Sequence, residues 1–336
     1  MANTELVTLC VDVLKNPTQV QQFSNGKNVD DRIRAKFAEA IGVENPTKKE
    51  LRKHEVTIYE ILEEVLTETY LTGVNEDEFF MQFADVRNLA LGDTQEFYTE
   101  DDGVLVVSEH SGNHWNITRQ KLEGGKTFSI QTKSFAAAVY GDFELFMTGR
   151  LNFSRLIQKV GQGIQTKIYQ EVAAAFASAT AQLPAAFKKN GAYDGDSMLD
   201  LVSKVEAATG STPIVLGTRK GLSKITEGAN IALYTEAMKA ELNSTGRIAN
   251  FNGMTLVQLP AVFKPNSFDF AYDDNQILVL PSAENKFIKL VFEGEDYIKQ
   301  VTEMTANNDM SLEYKFITHF GTAVVLSNLF GSYSLI

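Results

Sequence analysis

Metal or acid–base chemistry would begin at histidine, cysteine and paired carboxylates, and this chain is sparing with the first two. It has four histidines, His54, His110, His114 and His319, and one cysteine, Cys10. Only His110 and His114 are close together; four residues apart on an extended strand they share a face, which a metal could use if further ligands joined them. No cysteine or third histidine clusters nearby, so no metal site is expected. Cys10 cannot form an internal disulfide and reads as a small buried hydrophobe in a reducing compartment. There is no Gly-x-Ser-x-Gly elbow, no Walker loop and no His-Glu-x-x-His pair. Gly161-Gln162-Gly163 lacks the third glycine and preceding strand of a dinucleotide loop, and reads as a close-packing point inside a helix. Asn116-Ile117-Thr118, Asn152-Phe153-Ser154 and Asn243-Ser244-Thr245 match the glycosylation acceptor pattern, which matters only in an exported chain. Carboxylates abound, but no neighbouring group tunes a pair of them. Neither a catalytic constellation nor a cofactor site emerges.

The elements around these residues therefore have to be read for architecture. The chain has 336 residues, 44% hydrophobic and 22% charged, which fits a soluble globular protein of about two domains. No apolar run approaches the ~18 residues of a membrane span. The start, Met1-Ala2-Asn3-Thr4-Glu5, lacks the basic and apolar regions of a signal peptide, so no membrane partner is expected and the chain is expected to stay in the cytosol. A net charge of −12 argues against a broad basic face that grips phosphate backbone. The acid is concentrated: from Glu55 to Glu109 there are 15 acidic residues against Arg87 alone. That stretch reads as a solvated face, or as a surface that repels copies of itself or nucleic acid.

Five segments follow from periodicity and turn signals. Residues 1–84 have short helical stretches separated by polar turns and little core-building potential. Within them, Thr47 and Glu50 form a capping box. Leu51, His54, Ile58, Ile61, Leu62, Val65 and Leu66 then recur at helical spacing, predicting one helix over 48–71 that closes near Gly73. Its narrow apolar stripe needs covering, by this chain or by a neighbour. Over 85–142 the period changes to two, with strands near 104–107, 115–118 and 127–131 and glycine turns at Gly112-Asn113 and Gly124-Gly125. This is a long antiparallel ribbon with too few apolar residues to fold alone, expected to project from the body. Over 143–189, Leu156, Val160, Ile164, Ile168, Val172 and Phe176 are spaced by four and predict a helix from about 152 to 181, ended before Pro184. Arg155, Lys159 and Lys167 make its outer face mildly basic.

Residues 190–285 read as an α/β unit. Asp196 is expected to cap a helix containing Leu199, Val202 and Val205, and Pro213–Gly217 to form a buried strand. Helices are expected over 218–225 and 231–242, and strands over 247–251, 255–259 and 276–280. Residues 286–336 return to extended patterns at 287–292, 297–305 and 312–326.

This order of parts resembles the major capsid protein of tailed phages, with the Hong Kong 97-type α+β fold. The stretch Pro213-Ile214-Val215-Leu216-Gly217-Thr218-Arg219-Lys220-Gly221-Leu222 looks like that family's A-domain strand and following helix. Gly246-Arg247-Ile248-Ala249-Asn250-Phe251-Asn252-Gly253-Met254-Thr255-Leu256-Val257-Gln258-Leu259-Pro260 is similar to its strand pair ended by proline. The resemblance covers 85–336. It implies an N-terminal arm over 1–84, an E-loop over 85–142, a P-domain spine helix over 143–189, an A-domain over 190–285, and P-domain strands over 286–336 that return to the A-domain.

The function so implied is self-assembly into hexamers and pentamers of an icosahedral virion head, built in the host bacterial cytoplasm around double-stranded DNA. Portal, scaffolding and decoration proteins are the further partners of such a shell. In this reading Trp115, Ile117, Leu122, Gly124 and Gly125 belong to an E-loop that lies on the neighbouring copy, and Arg155, Lys159 and Lys167 face weakly held DNA inside the shell. Two alternatives stand beside it: an encapsulin-type bacterial nanocompartment, and a cytosolic α/β enzyme carrying a ribbon insertion. The enzyme reading lacks a catalytic constellation.

Overall fold

The computed structural model describes residues 8–9, 29–43, 47–99, 126–140, 153–227, 234–265, 267–282, 286–294, 296–301, 313–324 and 330–335. It opens with four helices: α1 (Val29–Ile41), α2 (Lys48–Lys53), α3 (Glu55–Asn75) and α4 (Glu78–Phe83). At the start of α2 the Glu50 carboxylate accepts from the Thr47 N–H at 2.7 Å, the glutamate half of the capping box, and also from the Thr47 hydroxyl at 2.8 Å. The single helix expected over 48–71 is divided at His54, which leaves the helical region at φ −105°, ψ 20°. The second part then runs through Gly73 to Asn75 rather than stopping there.

The expectation that this segment builds little core is corrected. Ile33, Phe37, Ile41, Ile58, Ile61, Val65, Tyr70, Val74 and Phe80 are buried in one cluster with the rest of the body. Each helix carries only a narrow stripe, but the stripes converge on the same surface. Periodicity shows a stripe and says nothing of its partner.

Next come β1 (Ala84–Leu89), β2 (Glu96–Thr99), β3 (Lys126–Ser129) and β4 (Lys133–Tyr140). β2 and β3 pair antiparallel as a two-stranded ribbon, Glu96 opposite Ser129. The long helix, α5 (Phe153–Ala181), has 29 residues and so spans about 43 Å. A 3₁₀ turn (Ala185–Phe187) leads into β5 (Lys188–Gly191), then α6 (Gly195–Thr209), β6 (Pro213–Gly217), α7 (Arg219–Glu227) and α8 (Glu236–Thr245). The cap of α6 is Asp194, which accepts from the Ser197 N–H at 3.0 Å, and not Asp196. Asp196 sits inside the first turn, where its charge still suits the helix dipole. Met198 and Leu201 join Val202 and Val205 on its buried face, while Leu199 points to solvent.

The helix expected over 231–242 begins later, at Glu236 behind a Thr235 cap. The strand expected from Arg247 shortens to β7 (Asn250–Phe251), which turns through Asn252 and Gly253, both at positive φ, into β8 (Met254–Gln258). Two such residues are what a two-residue type I′ hairpin needs. β9 (Gln276–Pro281), β10 (Ile288–Glu293), β11 (Tyr297–Val301), β12 (Glu313–Val324) and β13 (Gly331–Leu335) complete the chain.

Two larger sheets organise these strands. In one, β12 is the spine: β10 and β11 pair antiparallel with successive halves of one edge, β4 pairs with the other edge, and β1 runs parallel to β10. The other has six strands in the order β5-β13-β9-β6-β8-β7. Strand β9 shows how the cores divide: Leu278 and Leu280 face the cluster that holds α1, α3 and α5, while Ile277 and Val279 face a second cluster with α6 and α7. Alternation with period two thus lets one strand line two cores. One face of the six-stranded sheet closes the same core that the N-terminal helices build.

Candidate functional site

The long helix α5 is the common support of the molecule. Ile164, Ile168, Val172 and Phe176 are buried and Val160 is half-buried, so the four-residue spacing marks its inner face. Leu156 and Arg155 lie in its first turn, whose side chains fall outside the description. The inner face packs on α3, β4 and β12. Gly161 is buried toward α3, where an added Cβ would lie 3.5 Å from Thr69 Cγ2, an ordinary contact; Gly163 faces open space. The close-packing expected of this glycine pair is therefore confined to Gly161, and loosely.

Carboxylates lock the helix in place. Asp77 caps α4 through one oxygen, which accepts from the Phe79 and Phe80 N–H groups at 3.0 and 3.4 Å. Its other oxygen accepts from the Tyr169 hydroxyl at 2.6 Å and the Gln165 amide at 3.3 Å, both on α5. Burial, together with the hydrogen bond to Asp77, drives the Tyr169 phenol well above its ordinary value. The ring stacks on Phe80 at 4.6 Å. A second latch joins α3 to the β10–β11 turn: Asp296 accepts from the hydroxyls of Tyr70 at 2.5 Å and Thr67 at 2.8 Å, and Glu63 accepts from the Ile298 N–H. Glu63 and Asp77 belong to the acidic stretch read as a solvated face, and here they serve as structural acceptors. Asp77, followed by Glu78 and two phenylalanines, carries a recognisable N-cap signal. Its tyrosine partner, 92 residues away, had none.

The three basic residues of α5 are not equivalent. Lys159 is exposed. Lys167 is half-buried, 2.7 Å from Glu171 and 5.2 Å above the Phe135 ring, and Lys133 reaches the same carboxylate at 3.5 Å. Burial alone would raise Glu171, but the two ammonium groups outweigh it and hold its carboxyl below the ordinary value. The charge of Lys167 is thereby largely spent within the chain.

At the root of the β2–β3 ribbon, Phe97 is buried and stacks on Phe128 at 5.6 Å. The Arg87 guanidinium and the Lys289 ammonium lie over the Phe97 ring at 4.8 and 5.5 Å. Asp85 bridges them, with Arg87 at 3.1 Å and Lys289 at 3.2 Å. Glu293 accepts from the Gly92 N–H at 3.0 Å and from the Thr132 hydroxyl, tying the outgoing and returning strands together. Gly321 of β12 passes so close that a Cβ there would lie 2.7 Å from the Gln131 carbonyl. Trp115, Ile117, Leu122, Gly124 and Gly125 lie outside the described residues, as do Cys10, His110 and His114.

A cleft of about 820 Å³ opens between α7 and the β8–β9 connection, lined by Thr218, Arg219, Lys220, Leu259, Phe270 and Tyr272 among others. Lys220 faces Asp274 at 3.7 Å, and the Ser223 and Thr226 hydroxyls on its wall donate to backbone carbonyls rather than to a side-chain base. Among the described residues no group of three or more histidines, cysteines and carboxylates could hold a metal, and no helix is long and apolar enough to cross a membrane.

No curated protein matches this sequence. Among solved structures the chain is similar to the capsid of the cyanophage P-SCSP1u, with 15% identity and a TM-score of 0.47 over 76% of this chain and 88% of that one. It is also similar to a structure from Microbacterium phage Oxtober96, at 12% and 0.47 over 77% and 91%. A virus-like particle from Pyrococcus furiosus matches at 12% and 0.43 over 79% and 96%. The family profile described as "SPbeta prophage-derived putative capsid protein YonB" matches residues 5–334, and with nearly its whole length accounted for the chain belongs to this phage capsid family.

Proposed function

We propose that this chain is the major building block of a phage-type head shell, assembling with itself into hexamers and pentamers that enclose double-stranded DNA in the virion. The observation that carries the proposal is the match to a capsid family over residues 5–334. In this reading residues 1–84 are an N-terminal arm and 85–142 an E-loop. The spine helix occupies 143–189, the A-domain 190–285, and the returning P-domain strands 286–336. The ribbon supports it physically. Its root is firmly built around Phe97 and Glu293, whereas Ser108–Lys126 offers only Trp115, Ile117 and Leu122 as sizeable apolar groups. Ordering costs ~1–2 kcal/mol per residue, so cover for this segment comes from a neighbouring copy, at the scale of obligate interfaces of ~2,000–5,000 Å².

The chain acts as a building unit rather than an enzyme, with portal, scaffolding and decoration proteins as its partners. Arg155 and Lys159 supply weak, salt-screened contact to packaged DNA, and Lys167, already paired with Glu171, supplies less. Purified protein viewed by negative-stain microscopy and size exclusion should form hollow megadalton shells or capsomers. A monodisperse monomer at all concentrations would overturn the proposal, and shells filled with a cargo enzyme instead of DNA would replace it with a nanocompartment.

A further inference from the structure

Large apolar side chains exposed on the described surface are mostly scattered, as at Val56, Met81, Leu91 and Leu199, and such isolated groups are ordinary. One place differs. Between β8 and β9 the backbone doubles back through an isolated bridge joining Phe263 and Phe270. Phe263 and Phe270 stack at 5.2 Å with 17° between ring planes, and Phe268 meets Phe263 edge-on at 6.1 Å. Phe263, Phe268 and Phe270 are 47%, 92% and 44% exposed. Their combined open area is on the order of 300–400 Å², about that of the largest apolar patch on an ordinary monomer.

The turn is rigidly held. The Lys264 N–H donates to the Asp269 carbonyl and the Ala271 N–H to the Val262 carbonyl, each at 2.7 Å. Gln170 of α5 donates to the Phe263 carbonyl at 2.7 Å, and the Tyr272 hydroxyl donates to the Tyr169 carbonyl at 3.3 Å. Aromatic rings fixed in advance lose little conformational freedom on docking.

We propose that this phenylalanine triad docks on a second copy of this chain, an inference that rests on the shell-forming reading above. Charge favours a copy here. Chains carrying −12 repel one another, so they meet most readily where net charge is absent, and Lys264 and Asp269 cancel on this turn. Area favours it as well. The patch is under half of the ~800 Å² per partner in a standard interface, too little to hold a separate protein by itself but suited to a contact repeated by symmetry alongside a larger one. Shape is the third argument. Phe270 also lines the 820 Å³ cleft, whose wall includes Leu259, Val262 and Tyr272, so the apolar surface of the triad continues into a hollow that a projecting ring of another copy can enter.

Two measurements on the full-length chain test this. Phe268→Asp should keep the circular dichroism and melting of the parent, because the ring is exposed, yet need at least tenfold more protein to assemble. Replacing Phe268 with p-benzoylphenylalanine and irradiating assembled particles should give products of two or more chain masses; dimers alone would make the contact two-fold, and ladders would make it head-to-tail. If the parent forms shells while Phe268→Asp assembles identically and irradiation joins no two chains, or joins the chain only to a different protein, the docking is overturned and the shell reading survives. A parent that never assembles overturns both.

Discussion

The N-terminal helices and the β2–β3 ribbon each present a narrow set of apolar residues, and they differ in where those residues find cover. On α1 and α3 the stripe residues Ile33, Phe37, Ile58, Ile61 and Val65 are buried in the same cluster as residues of α5 and of the strands of the body. Among the described side chains at the ribbon root Phe97 is the one buried, Phe128 is half-buried and Tyr98 is open to solvent. A narrow apolar face therefore has two outcomes. A stripe at helical spacing can be satisfied by an element from far along the same chain, whereas a narrow two-stranded ribbon presents both faces and can bury little without a partner. The helices are held by packing and shared acceptors, and the ribbon by charge and aromatic contacts at its base.

The largest break in this comparison strikes the element both regions lean on. Ile168 of α5 is fully buried in the main cluster, and Ile168→Asp would place an unpaired carboxylate there at several kcal/mol. Soluble expression should collapse. A variant that expresses and melts like the parent would show that α5 does not support the N-terminal helices.

Next in size is the latch that belongs to the helical side. Asp77→Ala removes a helix cap worth ~1 kcal/mol and leaves the Tyr169 hydroxyl without its acceptor at a further ~1–3 kcal/mol. Asp77→Asn keeps most of the cap, but its amide nitrogen cannot accept from the Tyr169 hydroxyl, so it should lose at least half as much, read from urea midpoints. Equal losses in the two variants would place the whole effect in the tyrosine contact. On the ribbon side, Gly321→Ala would press a methyl against the Gln131 carbonyl and Ile130, costing about 1–3 kcal/mol of overpacking. Because the clash sits under the ribbon root, assembly should suffer more than the melting temperature. A variant that loses stability without losing assembly would detach the root from contact between copies.

The sequence was most legible where one element answers to one local pattern. Strand β6 occupies the residues its apolar run predicts, Pro213–Gly217, and α5, Phe153–Ala181, begins and ends within a residue of the expected 152–181. Legibility failed where a structure depends on a distant partner or on one residue. His54 breaks a helix whose stripe continues across it, since the stripe records burial and not backbone continuity. The cover for α3 comes from α5 and β11, and the Tyr70–Asp296 bond joins residues 226 apart. The exposed triad at Phe263, Phe268 and Phe270 reads as an ordinary strand remnant until its exposure is known. The ribbon's apolar residues Trp115, Ile117 and Leu122 are in the sequence, and their cover, lying on another copy in the proposed assembly, is not.

The smallest expected effect separates charge from packing at the ribbon root. Burial would raise the Asp85 carboxyl, but Arg87 and Lys289 outweigh it and hold it below the ordinary carboxylate value of 3.8. A carboxylate depressed in the folded state adds stability that is complete above its unfolded value and fades as pH falls through the folded one. The contribution should therefore be intact at pH 7 and lost below about pH 4. Asp85 is partly solvated, so screening keeps the amount small, under about 1 kcal/mol. Asp85→Asn should be slightly less stable than the parent at pH 7, and the gap between their urea midpoints should narrow steadily as pH falls below about 4. A gap that does not narrow at all below about pH 4 would mean that Asp85 holds Arg87 and Lys289 over the Phe97 ring through hydrogen-bond geometry alone. The ribbon root would then resemble the Asp77 latch, and the contrast between the charge-held and packing-held regions would not stand.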